Sequence, residues 1–477
     1  MGSIEKIPFT EFYNTINNEI TTTPTTRHSI NPATRKPNPE VPVSTEQDLN
    51  SAVKNARAAF KTWSKLSVEE RRQKVIAYGD AIEAHAEEFT KLLVQEQGKA
   101  HGQAAIEVGM CSTWARQIPQ LELNDVVLQD TDDQRIVQRF TPMGVVAGIV
   151  PWNFPLLLAV GKLVPAVYSG NTIIIKPSPF TPYCGLKLGE LAAKIFPPGV
   201  VQVLSDAGDL GPLITAHPDI NKISFTGSTL TGKRIMASCA NTLKSLTLEL
   251  GGNDPAIICD DVDVEAIVPQ VATLSFLVSA QVCMMIKRLY VHEKIYDKFL
   301  SALVAFTKNL KVGDGSKPDT FFGPVQNEMQ YEKVKDLFTS IQTENLKPAL
   351  GGTVTESGGY FITPTIIDNP PENSRVVQEE AFGPILPVLK WSDEADVIAR
   401  ANDSDSGLGA SVWSKDLDRA QRMGAQLESG SVWINSHFQV APHVPFGGVK
   451  TSGIGREWGV EGLKSYTQSQ TMWIKKA

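Results

Sequence analysis

The chain has 477 residues, of which 42% are hydrophobic and 20% charged, with a formal net charge of −7. That length exceeds what one hydrophobic core serves, so two or more lobes are expected, and the composition is that of a globular chain rather than a disordered or fibrous one. Lys and Arg are dispersed among Asp and Glu, which argues against nucleic-acid binding, since that needs a basic stripe. No apolar run reaches membrane-spanning length. Met1–Thr10 carries charge and Pro8 instead of a secretory segment. Lys6 stands where a myristoylation signal needs Ser or Thr, and Lys475-Lys476-Ala477 is not the peroxisomal tripeptide. A cytoplasmic protein is the expectation.

In chain order, the Thr-rich stretch 20–27 with Pro24 reads as an irregular arm. Thr45-Glu-Gln-Asp48 is a capping-box pattern followed by Leu49, Val53, Ala56 and Phe60 at helical spacing. Ser67-Val-Glu-Glu70 repeats the signal and predicts a second long helix to about residue 97. From residue 144 short apolar runs alternate with helix-like stretches: Gly144–Val150, Thr172–Ile175, Val200–Leu204, Ile223–Phe225, Leu246–Leu248 and Ala256–Cys259. Arg288–Val291, Leu386–Leu389, Gly409–Trp413 and Ser431–Ile434 continue the pattern. This alternation predicts βαβ units, parallel sheets and two α/β lobes.

The five cysteines, Cys111, Cys184, Cys239, Cys259 and Cys283, form no Cys-x-x-Cys pair and have no clustered histidines. A disulfide framework or a metal site is therefore not expected. Taken alone, Cys283 among Val282, Met284 and Met285 reads first as a buried core thiol and second as a nucleophile. Glu249, between an apolar strand and Gly251-Gly252, either caps a loop or is a base with a raised pKa. Asn153 lies in Pro151-Trp-Asn-Phe-Pro155, a stiff turn after a strand; it is a structural turn or a fixed N–H donor for an oxyanion. There is no Gly-x-Gly-x-x-Gly and no P-loop. Phe225-Thr-Gly-Ser-Thr-Leu-Thr-Gly232 instead follows a strand and opens a helix, where N–H groups can bind phosphate. Lys176, at a strand end, is an anchor for hydroxyl or phosphate or a solvated terminus. Glu380-Ala-Phe-Gly-Pro384 is a tight turn placing a carboxylate beside a ring.

Together these segments, with Lys176-Pro-Ser178, Pro445-Phe-Gly-Gly448 and Ser452-Gly-Ile-Gly-Arg-Glu457, resemble the aldehyde dehydrogenase superfamily in the same chain order from about Ile30 onward. The resemblance implies an α/β fold with a Rossmann-like cofactor lobe (residues 1–121 and 140–251), an α/β catalytic lobe (252–446) and a bridging β-flap (122–139 and 467–477). It also implies a homodimer or homotetramer acting on a small-molecule aldehyde with NAD or NADP. By the same resemblance Cys283 is the nucleophile that forms a thiohemiacetal and then a thioester. Asn153, with the Cys283 N–H, holds the oxyanion, Glu249 is the base, and Glu457 is a lesser candidate for proton relay.

The resemblance further puts Lys176 and Ser178 at the adenosine ribose, and Gly227, Ser228 and Thr231 at the pyrophosphate and adenine. Val150, Trp152 and Leu250 line the dinucleotide cleft, while Glu380 holds the nicotinamide ribose and Phe382 lies beside the ring. The funnel to Cys283 is lined by Phe154, Leu157, Leu158, Gly161, Leu277, Val282, Met284, Phe438, Val440 and Phe446, uncharged throughout, which points to a neutral aromatic or long-chain aldehyde. Gly161 replaces the bulky aromatic of many relatives, so a wider funnel is expected on that side. The chain departs from the family pattern at Val278, Ala280 and Met285, where Asn, Gly and a small residue are usual, and at Pro179, where NAD-preferring members carry Glu. A family member with attenuated catalysis that acts as a binding or structural protein, and an acylating enzyme that passes the thioester to coenzyme A, are the rival readings; Glu249 argues against the second.

Overall fold

The structure is a computed structural model that describes residues 6–354 and 357–476. Gly2 and the end of the expected flap at Ala477 lie outside them. The strand Val145–Ile149 pairs in parallel with Thr172–Lys176 on one side and Lys222–Thr226 on the other. Thr172–Lys176 continues to Val201–Val203, and Lys222–Thr226 to Ser245–Glu249. In chain order these five strands lie third, second, first, fourth, fifth. That order reverses beside Val145–Ile149, and such a reversal opens a crevice at the carboxyl ends of the strands. The strand ends there are Ile149, Lys176, Thr226 and Glu249. Antiparallel edges close the sheet: Asn14–Ile16 with Glu19–Thr21 on one side, Gly453–Ile454 on the other.

A second sheet runs Pro348–Leu350, Thr365–Asp368, Ile385–Trp391, Ile286–His292, Asp254–Ile258, Gly409–Trp413, Ser431–Ile434. Its strands are parallel except at the first pair. The chain passes between the sheets at residues 250–253, so Glu249 ends one sheet and Asp254 begins the other. These strands are buried on both faces, as the continuous apolar runs require. A separate antiparallel sheet joins Thr467–Lys475 to Gln134–Pro142 and that strand to Val126–Asp130. It reaches Pro142, beyond the expected limit at residue 139.

The capping boxes at Thr45/Asp48 and Ser67/Glu70 are both formed. Two expectations are corrected. The second helix does not run unbroken to residue 97: it ends at Ala84 and a new helix spans Ala86–Gln97. Between them His85 is fully buried, and its ring accepts from Ile7 N at 3.2 Å and reaches Ala81 O at 2.8 Å, so a long-range contact sets the break. The stretch 20–27 is not irregular throughout, because Glu19–Thr21 and Thr26–Ile30 are strands. Their Thr and Ile residues are good strand formers once a partner edge exists.

Candidate active site and cofactor cleft

The crevice predicted by the strand order is a cleft of about 620 Å³. Val150, Trp152, Lys176, Ser178, Gly227, Ser228, Thr231, Leu250, Glu380 and Phe382 all line it, and so do Asn153 and Cys283. The helix Thr229–Ala240 starts at its wall with Ser228 as N-cap, whose Oγ accepts from Thr231 N at 3.3 Å. That leaves the earlier N–H groups of the first turn at the positive end of the helix dipole. A Cβ on Gly232 would meet Leu250 at 2.6 Å, so glycine is what lets this helix approach the cleft wall. Lys176 is not a solvated strand end: its Nζ pairs with Asp206 at 2.9 Å and is buried. Trp152 and Phe382 meet edge to face at 5.3 Å, and Phe382 holds a left-handed φ of 48°. Apolar walls, a helix start and polar groups at both ends fit a dinucleotide.

At the inner end Cys283 is partly exposed, whereas Cys111, Cys184, Cys239 and Cys259 are buried. Burial pushes its thiol up to about 12; Lys287 acts in the opposite direction, while Glu380 and Glu249 add to the rise. Lys287 Nζ donates to the Cys283 carbonyl and pairs with Glu380 at 3.1 Å. Glu380 also accepts from Gly252 N at 3.1 Å. Asn153 Nδ2 donates to the Gln281 carbonyl at 2.9 Å, which ties its amide to the segment carrying the thiol. Just upstream, Val278, Ser279 and Ala280 have φ of 53°, 54° and 58°. Left-handed backbone costs an L-residue about 1–2 kcal/mol, so these three positions are strained where the family's usual Asn and Gly relieve two of them.

Glu249 is buried, and neither carboxyl oxygen has a hydrogen-bond partner among the described residues. Burial, then the nearby Glu457, holds its pKa well above the usual carboxylate range. Glu457 is buried too; it pairs with Lys162 and accepts from Ser224 Oγ at 2.7 Å.

Leu157, Val282, Met284 and Phe446 belong to one apolar cluster, against which Phe154, Leu158, Leu277, Phe438, Val440 and Cys283 pack. Gly161 does not open a wider funnel. A Cβ there would meet Trp458 Nε1 at 2.8 Å, so the space is already filled. Trp458 is buried, edge-on to Trp114 at 5.3 Å and stacked on Phe446 at 5.5 Å. The aromatic bulk that many relatives place at 161 arrives from across the fold. Trp458, Lys287 and Arg234, which also lines the cleft, were not singled out by the sequence. Trp458 comes directly after the recognised segment Ser452–Glu457, and that adjacency is the available signal.

Residues 20–472 match the model of the aldehyde dehydrogenase family. The aldehyde dehydrogenase LUC3 of Fusarium sp is 41% identical over 98% of this chain and all of its own length. The fold superposes on betaine aldehyde dehydrogenase of Staphylococcus aureus in complex with NAD+ at a TM-score of 0.94 and 34% identity, covering 97% of this chain and 95% of that one. It superposes on an NADP-dependent enzyme of E. coli at 0.95 and 33% identity, covering 98% and 99%. Among the described residues no helix is long and apolar enough to cross a membrane.

Proposed function

The chain belongs to the aldehyde dehydrogenase family and is an NAD(P)-dependent enzyme that oxidises aldehydes, and from that premise we propose that Cys283 is its nucleophile, Asn153 its oxyanion donor and Glu249 its base. One observation carries the reading: of the five cysteines only Cys283 opens on the cleft, and it does so beside Asn153. The other thiols are buried in cores.

Glu249 takes the thiol proton of Cys283 and passes it on to solvent, the sulfur attacks the aldehyde carbon, and a thiohemiacetal alkoxide forms. The alkoxide develops between the Cys283 N–H and the Asn153 amide. A primary amide has two N–H bonds; Gln281 takes one and leaves the other for the oxyanion. The nicotinamide dinucleotide supplies hydride acceptance when bound, with Glu380 and Lys176 as its anchors on the ribose rings. Loss of hydride leaves an acyl thioester on Cys283. Glu249 then takes a proton from the water that cleaves it. Burial and the nearby Glu457 raise its affinity for a proton, which is what a base needs to draw one from water.

The substrate is a medium or large neutral aldehyde, aromatic or long-chain. The wall of Leu157, Val282, Met284 and Phe446, with Phe154 and Phe438 against it, is apolar, so apolar substrate surface gains about 25 cal/mol per Å² there, while an anion against that wall would lose solvation unpaired. Trp458 narrows the side once expected to be wide. The cytoplasm as location, and a homodimer or homotetramer assembled through the sheet of Val126–Asp130, Gln134–Pro142 and Thr467–Lys475, complete the reading; exposed Val127, Leu128 and Trp473 on that sheet support the assembly. The intact Cys283, Glu249 and Asn153 set disfavour a non-catalytic binding role. Replacing Cys283 with Ala is expected to abolish turnover, and a thiol alkylator to inactivate by labelling Cys283. Full activity in Cys283→Ala would sink the mechanism.

A further inference from the structure

Among the described residues no local side chain caps the helix that follows the turn carrying Asn153. Pro155 opens the helix Pro155–Tyr168 without an N–H, and Phe154 supplies no side-chain cap. The first N–H groups of a helix need partners from elsewhere. They find one in Glu107, on the helix His101–Gln117: its Oε1 accepts from Leu156 N at 3.0 Å and from Leu157 N at 3.1 Å. Its other oxygen pairs with Lys99. Lys99 Nζ in turn donates to the Asn153 backbone carbonyl at 3.0 Å, and it lies 3.9 Å from the centroid of the Phe154 ring. The three ammonium N–H bonds thus have three partners.

Both charged side chains are fully buried, at 0% exposure. Such a pair contributes little stability compared with apolar residues of the same volume. Its geometry does something more specific. One arm fixes the carbonyl of Asn153, the other fixes the helix that begins two residues later, and Gln281 fixes the amide from the side of the thiol. We infer that the Lys99–Glu107 pair is the positioning device for the oxyanion donor, setting where the free N–H of Asn153 points relative to Cys283. The inference rests on the oxyanion role proposed for Asn153.

A double-mutant cycle tests it. The charge-neutral variant Lys99→Met/Glu107→Gln is made alone and in an Asn153→Ala background, and kcat/KM is measured with benzaldehyde or hexanal, whichever the parent turns over faster. Removing an oxyanion donor costs ~10²–10³-fold, so misplacing it is expected to cost ~10–100-fold, with NAD+ affinity from fluorescence titration unchanged. In Asn153→Ala the same pair change should cost less than about twofold more, because there is no amide left to place. A loss that recurs undiminished in Asn153→Ala, or no loss in the parent background, overturns the inference. Full activity in Asn153→Ala alone overturns the oxyanion role beneath it. If the neutral pair does not fold, Glu107→Asp, which keeps the charge but not the reach, is put through the same cycle, with the same outcomes deciding.

Discussion

The space between Gly161 and Trp458 gives a quantitative test of how this active site is packed. Trp458 is buried, and a Cβ at 161 would lie 2.8 Å from its Nε1, closer than real contacts allow. Gly161→Trp therefore overpacks the site and is expected to cost at least about 1–3 kcal/mol. Trp458→Leu leaves a hole between Trp114 and Phe446; full truncation of a buried Trp costs about 3–5 kcal/mol, and a Leu recovers part of that, leaving about 2–3. The exchange Gly161→Trp/Trp458→Leu puts the indole back from the opposite side. Contacting residues couple by about 0.5–3 kcal/mol, so the double variant should be more stable than the sum of the singles by about 2 kcal/mol. Urea unfolding followed by far-ultraviolet circular dichroism reads this, and kcat/KM for acetaldehyde, benzaldehyde and decanal reads the funnel. Trp458→Leu alone should raise decanal relative to acetaldehyde. Additive stabilities, or an unchanged ranking in every variant, would refute the reasoning that Trp458 occupies the space beside Gly161.

Glu249→Gln is expected to lower turnover ~10²–10⁴-fold and to erase the rise of kcat/KM with pH, because a base must lose its proton and burial holds that proton above the usual range; a variant keeping the parent's pH profile contradicts this. The linked stability has a definite sign: the folded carboxyl keeps a proton that the unfolded one loses near 4.5, so its contribution is present at low pH and lost as pH rises. The Gln variant should accordingly lose less thermal stability than the parent on going from acid to alkaline buffer. For cofactor choice, Pro179 sets no carboxylate against the ribose hydroxyls, and Arg234 lines the same cleft with no ion pair among the described residues. Titration calorimetry should show binding of both NAD+ and NADP+, with Arg234→Ala weakening NADP+ by ~10-fold more than NAD+, about 1.4 kcal/mol. Equal weakening would remove Arg234 from that role.

Local signals carried the fold well. The two capping boxes sit where Thr45 and Ser67 put them, and the strands Gly409–Trp413 and Ser431–Ile434 match their apolar runs. The cleft was legible because its residues lie at strand ends and helix starts, positions that sequence marks with Lys-Pro, Gly-Ser-Thr and Glu-Leu-Gly-Gly. What escaped was contact at a distance. The helix break at His85 depends on Ile7, and the filling of the space beside Gly161 depends on a Trp far along the chain. Lys99 lies in the link between the helices Ala86–Gln97 and His101–Gln117, Glu107 lies in the second, and their pattern gives no hint that they hold Asn153 and Leu156. Periodicity reports which face of an element is buried, not which polar group waits on the other side of the core.

The most direct test of the central claim is a rapid-quench experiment on the parent enzyme with NAD+ and one aldehyde, followed by peptide mass analysis. During the first turnover the peptide bearing Cys283 should gain the mass of the aldehyde less two hydrogens, in step with the appearance of NADH, and should lose it as the carboxylate is released. NADH formed with no adduct on Cys283 at any time, or with the adduct on Cys111, Cys184, Cys239 or Cys259, would contradict the account.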